Sequence, residues 1–124
     1  MQIHQFSENG KILTQEEAEK AGVAKRGLKF DGTKPDLSLV PRSALEGMAK
    51  AFMVGEKKYG RNNFKQGMAS HRYVAAAMRH ITAWNDGEDL DPETGNHHMW
   101  HALASIAMLL ECEKLGTLED TRRS

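Results

Sequence analysis

His98 and His101 stand three residues apart in a stretch whose apolar residues recur with helical spacing, and a dense carboxylate turn, Glu88, Asp89, Asp91 and Glu93, precedes them. On a helix, side chains at i and i+3 share a face, so two imidazoles there can converge on one cation. His97, four residues before His101, reaches the same side. The same residues also suit a histidine-rich helix start whose solvated carboxylates complement the helix dipole. Spacing alone leaves both readings open.

His80 follows Arg79 inside an apolar stripe and therefore faces inward. An inward histidine is commonly a hydrogen-bonded core residue; opposite a carboxylate from a neighbouring helix, it becomes part of a bundle metal site. Glu46, beside Leu45 and Ala49 at the edge of the preceding apolar stripe, is the carboxylate able to lean that way. A third cluster is cationic: Lys57, Lys58, Tyr59, Arg61, Asn63 and Lys65. Lysine and arginine clamp phosphates, and an aromatic beside them can stack a base; lysines ending a helix also simply complement its dipole. Neither a Gly-x-x-x-x-Gly-Lys-Ser/Thr loop nor a Gly-x-Ser-x-Gly elbow occurs. Cys112 lies among apolar and acidic neighbours that disfavour a thiolate nucleophile.

The elements that must position these groups read as helices. Thr14-Gln15-Glu16-Glu17 has the form of a capping box and predicts a short helix stopping near Gly22, within an N-terminal appendage over 1–26. The segment Gly27 to Pro41, with two prolines and an Asp-Gly pair, predicts an ordered loop. Ser43 can cap a helix to Tyr59, with Leu45, Met48, Ala49, Phe52 and Met53 as its core-facing stripe. Gly60 to Gly67 reads as a surface loop. Ser70 opens a helix with Tyr73, Ala76, Ala77, His80, Ile81 and Trp84 inward, ended by Asp86-Gly87. A last helix runs from about Asn96 to Leu115 and stops at Gly116, burying Met99, Ala102, Leu103, Ile106, Leu109 and Leu110. Nothing alternates with period two, so no strand is expected. The expectation is an all-α fold, a small helical bundle of four to five helices over 27–116, with 117–124 as a C-terminal tail.

The chain has 124 residues, enough for one small domain with its own core. A single cysteine permits no intrachain disulfide and no cysteine-based zinc site, and points to a reducing compartment. Seventeen Lys and Arg balance seventeen Asp and Glu, so the basic excess of a nucleic-acid binder is missing. No apolar run approaches the roughly 20 residues of a membrane span, and the N-terminus lacks the form of a secretory signal. A cytoplasmic globular protein with neither nucleic acid nor membrane as partner is expected.

Several strings in order resemble one family: Lys29-Phe30-Asp31-x-x-Lys34-Pro35-x-Leu37-Ser38-Leu39-x-Pro41 with Ala44-Leu45-Glu46; Lys58-Tyr59-Gly60-x-x-Asn63; Ala76-Ala77-x-Arg79-His80-x-x-Ala83-Trp84; Gly87-Glu88-x-x-Asp91-Pro92-Glu93-x-Gly95; and His98-x-x-His101-Ala102. Together they resemble the phage-type dATP/dGTP diphosphohydrolase N-terminal domain, a MazG-like group. Two departures stand out. Phe64 takes the place of a common tryptophan, and the wider MazG-like metal signature, Glu-Glu-x-x-Glu followed by Glu-x-x-Asp, is absent.

The resemblance implies a MazG-like all-α fold, a homo-oligomer of dimer size or larger, a divalent cation (Mg²⁺ or Mn²⁺), and cleavage of a (deoxy)nucleoside triphosphate, a purine dNTP foremost, to monophosphate and pyrophosphate. Within its pattern, Glu46, Asp91, His98 and His101 are the expected metal ligands and His80 and Glu88 the catalytic pair. Lys34, Lys58 and Arg79 are expected at the phosphates, and Tyr59, Asn63 and Phe64 near base or sugar. The competing reading is a non-catalytic nucleotide-binding protein that sequesters or senses a nucleotide.

Overall fold

The computed structural model describes residues 6–8, 11–14, 16–17 and 32–123. The chain divides into two units, Met1–Leu39 and Val40–Ser124. In the first, strands β1 (Phe6–Glu8) and β2 (Lys11–Leu13) pair antiparallel with Phe6 opposite Leu13 and Glu8 opposite Lys11. This corrects the expectation of a strand-free chain. Arms of three residues are too short for alternation to register, but the sequence between them, Asn9-Gly10, is the dipeptide that two-residue hairpins favour. One half of the Thr14 capping box is seen: the Glu17 amide donates to Thr14 Oγ1 at 3.2 Å, while the Glu17 carboxylate accepts from the Thr14 hydroxyl, also at 3.2 Å. The remainder of that expected helix lies outside the described residues. Exposed Lys34 precedes a 3-10 turn, Leu37–Leu39, opened by Asp36, whose Oδ1 accepts the Ser38 amide at 3.1 Å.

The second unit holds α1 (Arg42–Tyr59), α2 (Ser70–Asn85) and α3 (His98–Leu115), with a 3-10 turn at Asn63–Gln66. Three α-helices, not four to five, are therefore seen among the described residues. Pro41 occupies the N-cap of α1, so Ser43 lies inside the helix. Gly116 ends α3 in the left-handed conformation (φ 77°), its amide returning to Cys112 and Glu113 carbonyls, as expected of a glycine cap. Tyr73 meets Cys112 at one end of the α2–α3 pair and His80 meets His98 at the other, which makes the two helices antiparallel.

Small residues make the closest contacts. Ala51, Ala77, Ala102, Ala104 and Ser105 are buried, with Tyr73 and Cys112 as the larger members of the core. Gly47 on α1 lets Trp100 of α3 approach so closely that a Cβ there would lie 2.1 Å from the indole. Cys112 Sγ donates to the Phe64 carbonyl at 3.2 Å, and Phe64 packs edge-on against Phe52 at 5.3 Å. Burial, helped by the adjacent Cys112, pushes the Tyr73 hydroxyl up to about 12. Residues 117–123, expected as a tail, run back over the start of α2: the Ser70 amide donates to Glu119 O at 2.7 Å and the Thr121 amide to Ser70 Oγ at 3.0 Å.

The larger apolar residues are distributed differently from the expected stripes. Leu45 and Met53 of α1 are exposed, as are Leu103, Ile106 and Leu110 of α3. Because α3 is apolar on nearly every side, periodicity cannot select which face meets the neighbouring helices; the close approach allowed by its alanines and serine does. Among the described residues no helix is long and apolar enough to cross a membrane.

Candidate active site

The antiparallel turn from α2 into α3 brings His80, in the C-terminal half of α2, against the first turn of α3. The connecting loop is closed by backbone bonds: Asp91 N–H to Asn96 O at 2.7 Å, Gly95 N–H to Asp91 O at 2.7 Å, and His98 N–H to Asp89 O at 3.0 Å. These bonds hold its carboxylates beside the histidines. His97 caps α3, its Nδ1 accepting the Met99 amide at 3.0 Å.

His98 is 4% exposed, and both its ring nitrogens are engaged. Nε2 lies 2.6 Å from Glu88 Oε1 and Nδ1 lies 2.9 Å from His80 Nδ1. A carboxylate only accepts, so the proton of neutral His98 sits on Nε2 and its Nδ1 carries a lone pair. His80 must then donate from Nδ1, which leaves the His80 Nε2 lone pair uncommitted. The three side chains form a directional chain, Glu88 to His98 to His80, that ends in a base atom.

A second chain lies beside it. Thr94 Oγ1 is 2.7 Å from His101 Nε2 and accepts the Asn96 amide at 3.2 Å, while its own hydroxyl donates to Asp91 Oδ2 at 3.4 Å. Asp91 Oδ2 is 3.7 Å from His101 Nε2, and Oδ1 accepts the Glu93 amide at 3.0 Å. The rings of His80 and His101 stack with centroids 4.8 Å apart. Burial first, then the neighbouring His101, pulls the His80 pKa below that of a free imidazole, against the opposing pull of Asp91. Burial likewise lowers His101, which Asp91 opposes and His98 and Lys58 reinforce. Both histidines therefore favour the neutral, lone-pair form. Lys58 reaches the same place from the end of α1, pairing with Glu93 at 2.9 Å, and Glu93 raises its pKa.

The structure thus brings together His80, Glu88, Asp91, His98, His101 and Lys58. Arg79 is exposed, near enough to His80 to help lower its pKa. Glu46 is not brought in: its carboxylate is half-exposed and pairs with Arg42 at 2.6 Å, one turn earlier on α1. Tyr59 is exposed, Asn63 accepts from Gln66 within its own turn, and Phe64 is occupied with Phe52. Lys34 belongs to the N-terminal unit. Thr94 was not anticipated from sequence; its signal is the Asp-Pro-Glu-Thr string, in which an Asp three residues before a Thr favours a side-chain-bonded turn. Asn96 Nδ2, also unanticipated, is buried without a hydrogen-bond partner.

The sequence is similar to proteins of one family. Residues 24–122 match the family described as dATP/dGTP diphosphohydrolase, N-terminal. The chain belongs to that family. A protein of Salmonella phage PMBT28 named dATP/dGTP diphosphohydrolase is 36% identical to it over 97 residues, covering 78% of this chain and 33% of the phage protein. The chain therefore spans about a third of the length of that curated relative. No solved structure matches it.

The divalent ion implied for this diphosphohydrolase N-terminal domain can be set against the donors it offers. Mg²⁺ takes oxygen ligands in near-octahedral geometry. The cluster offers three imidazoles and two carboxylates, and among the described residues no three His, Cys, Asp or Glu side chains surround one point. Glu46, Asp91, His98 and His101 do not converge, and both nitrogens of His98 are engaged. This donor set does not fit a resident Mg²⁺ site.

Proposed function

We propose that this domain hydrolyses (deoxy)nucleoside triphosphates, purine dNTPs foremost, to the nucleoside monophosphate and pyrophosphate. The observation that carries the reading is the hydrogen-bonded series Glu88–His98–His80, which leaves an oriented lone pair on His80 Nε2. Its family and the name of its phage relative supply the substrate class.

In this reading His80 Nε2 takes a proton from a water as the water oxygen attacks the α-phosphorus. The bond from the α-phosphorus to the bridging oxygen breaks and pyrophosphate leaves, with the displaced electrons on its oxygen. His98 and Glu88 hold the tautomer and stabilise the positive charge arriving on His80, so they are positioning residues. Lys58 and Arg79 neutralise phosphate oxygens. The substrate is the triphosphate carrying its own Mg²⁺ or Mn²⁺, as such ions are usually held by substrate phosphates and one or two carboxylates. Asp91, beside His101 and outside the Glu88–His98–His80 series, is the carboxylate nearest the histidines for that role. The dNTP pool places this activity in the cytoplasm.

The domain acts in this account as a homo-oligomer. Val74, Met78 and Ile81 of α2 and Leu103, Ile106 and Leu110 of α3 are all between 37 and 59% exposed. Apolar rows of that kind on adjacent helices are the unpaired half of a bundle.

Incubating the protein with each dNTP and either Mg²⁺ or Mn²⁺ tests the reading directly: pyrophosphate and monophosphate should accumulate together. A second reading is favoured by one fact, that the match covers only a third of the phage relative. On that reading the domain binds a nucleotide without turning it over. Saturable nucleotide binding with no loss of triphosphate would select it.

A further inference from the structure

Trp84, His97 and Trp100 form a row of rings that the chemistry above leaves unused. Trp84 and His97 have centroids 6.5 Å apart and planes inclined by 32°; His97 and Trp100 are 5.8 Å apart at 32°. The row lies at the catalytic end of the hairpin. Trp84 is one helical turn, about 6 Å, beyond His80 on α2, and His97 is the neighbour of His98 in the chain.

Two features of this row, the exposure of Trp84 and the fixed ring of His97, suit it to a ligand. Trp84 is 40% exposed, so part of its indole is free to take a partner. The ring separations, 6.5 and 5.8 Å, lie within the roughly 4.5–7 Å of neighbouring aromatic rings, so a ligand would use the exposed part of Trp84 and not a gap between the rings. His97 is also pinned: Nδ1 accepts the Met99 amide at 3.0 Å, so the neutral ring carries its proton on Nε2, where it remains available to donate. Trp100, held against Gly47 and carrying Lys50 Nζ 4.9 Å from its ring centre, backs the far end of the row. By contrast, Phe64 is already engaged with Phe52.

We infer that Trp84 and His97 form the subsite for the nucleobase: a planar heterocycle stacks on Trp84 and offers an edge acceptor to His97 Nε2–H, while its phosphates extend toward His80. This rests on the nucleotide reading above. It requires a ligand that is flat, aromatic and joined to a polyphosphate, and it separates recognition of the base from recognition of the phosphates.

The test compares dATP with inorganic tripolyphosphate, each as the Mg²⁺ complex, binding to the wild type, Trp84→Ala and Trp84→Phe by calorimetry. Removing a base-stacking aromatic costs about tenfold or more in affinity. Trp84→Ala should weaken dATP by that factor and change tripolyphosphate by less than about twofold, while Trp84→Phe retains most of the dATP affinity. Should Trp84→Ala fail to fold, Trp84→Leu, which keeps apolar bulk without a π face, should show the same split. If dATP binding is unchanged, or both ligands weaken equally, the subsite is wrong although the nucleotide reading stands. If the wild type binds neither ligand, both fall.

Discussion

His80 and His98 face each other nitrogen to nitrogen, Nδ1 to Nδ1, at 2.9 Å. One proton must lie between two atoms that are chemically alike, and Glu88 on the far side of His98 decides which ring owns it. The polarity of the site thus depends on a carboxylate that need not touch substrate.

Glu88→Gln tests that dependence. An amide can donate to His98 Nε2, sending the His98 proton to Nδ1 and turning His80 round into the tautomer without a free Nε2 lone pair. Turnover of dNTP should fall by roughly 10²-fold with KM changed by less than about threefold, the split expected of a group that acts on the base and not on binding. Steady-state kinetics measures both; an unchanged kcat would remove Glu88 from the mechanism.

The depressed histidines give a signed pH dependence. His80 and His101 have folded pKa values below the unfolded value of about 6.5. Between the folded and unfolded values the unfolded chain binds more protons. Their contribution to stability is therefore complete above about pH 6.5 and is lost as pH falls through the folded pKa. Urea unfolding at pH 7.5 and 5.5 should show a loss of stability on acidification that is smaller in His80→Gln/His101→Gln than in the wild type. An equal loss in both proteins would contradict it.

Gly47→Ala probes the contact between α1 and α3. The added methyl would sit 2.1 Å from Trp100 Cδ1 and 2.2 Å from Nε1, so the helices must part or the indole must leave. Overpacking of this kind costs roughly 1–3 kcal/mol, read as a lower urea midpoint. An unchanged midpoint would mean that the indole repacks freely.

The exposed rows of α2 and α3 predict self-association. Ile106, 48% exposed at the middle of α3, should tolerate glutamate in the fold but not in a paired interface. Light scattering should find the wild type as a dimer or larger and Ile106→Glu as a folded monomer. A wild type that remains monomeric at every concentration examined would refute the oligomer.

Helix ends were legible where a glycine stop acts locally, as Gly116 does at the end of α3, but the N-caps are Pro41, Ala69 and His97 and not Ser43 or Ser70. Which faces meet was less legible. Apolar periodicity points to Leu45, Met53 and Ile106, yet alanines and Gly47 decide the close approaches, and a small residue carries little hydrophobic signal. In the site, the residues near the α2–α3 turn could be gathered from sequence because an antiparallel hairpin must bring His80 to His98. Glu46 could not be excluded, since the choice between leaning inward and pairing with Arg42 rests on side-chain geometry. Likewise, no spacing rule shows that the two nitrogens of His98 are spoken for.

The role of His80 as the base of a triphosphate-cleaving site decides the proposed function. Its most direct measurement is release of pyrophosphate from dATP and dGTP by the wild type and by His80→Ala, with folding checked by circular dichroism. Monophosphate and pyrophosphate should form in equal amounts from the wild type, and the variant's rate should be lower by roughly 10²–10⁴-fold at similar nucleotide affinity. Equal rates in the two proteins, or no pyrophosphate from either with any divalent ion, would contradict it.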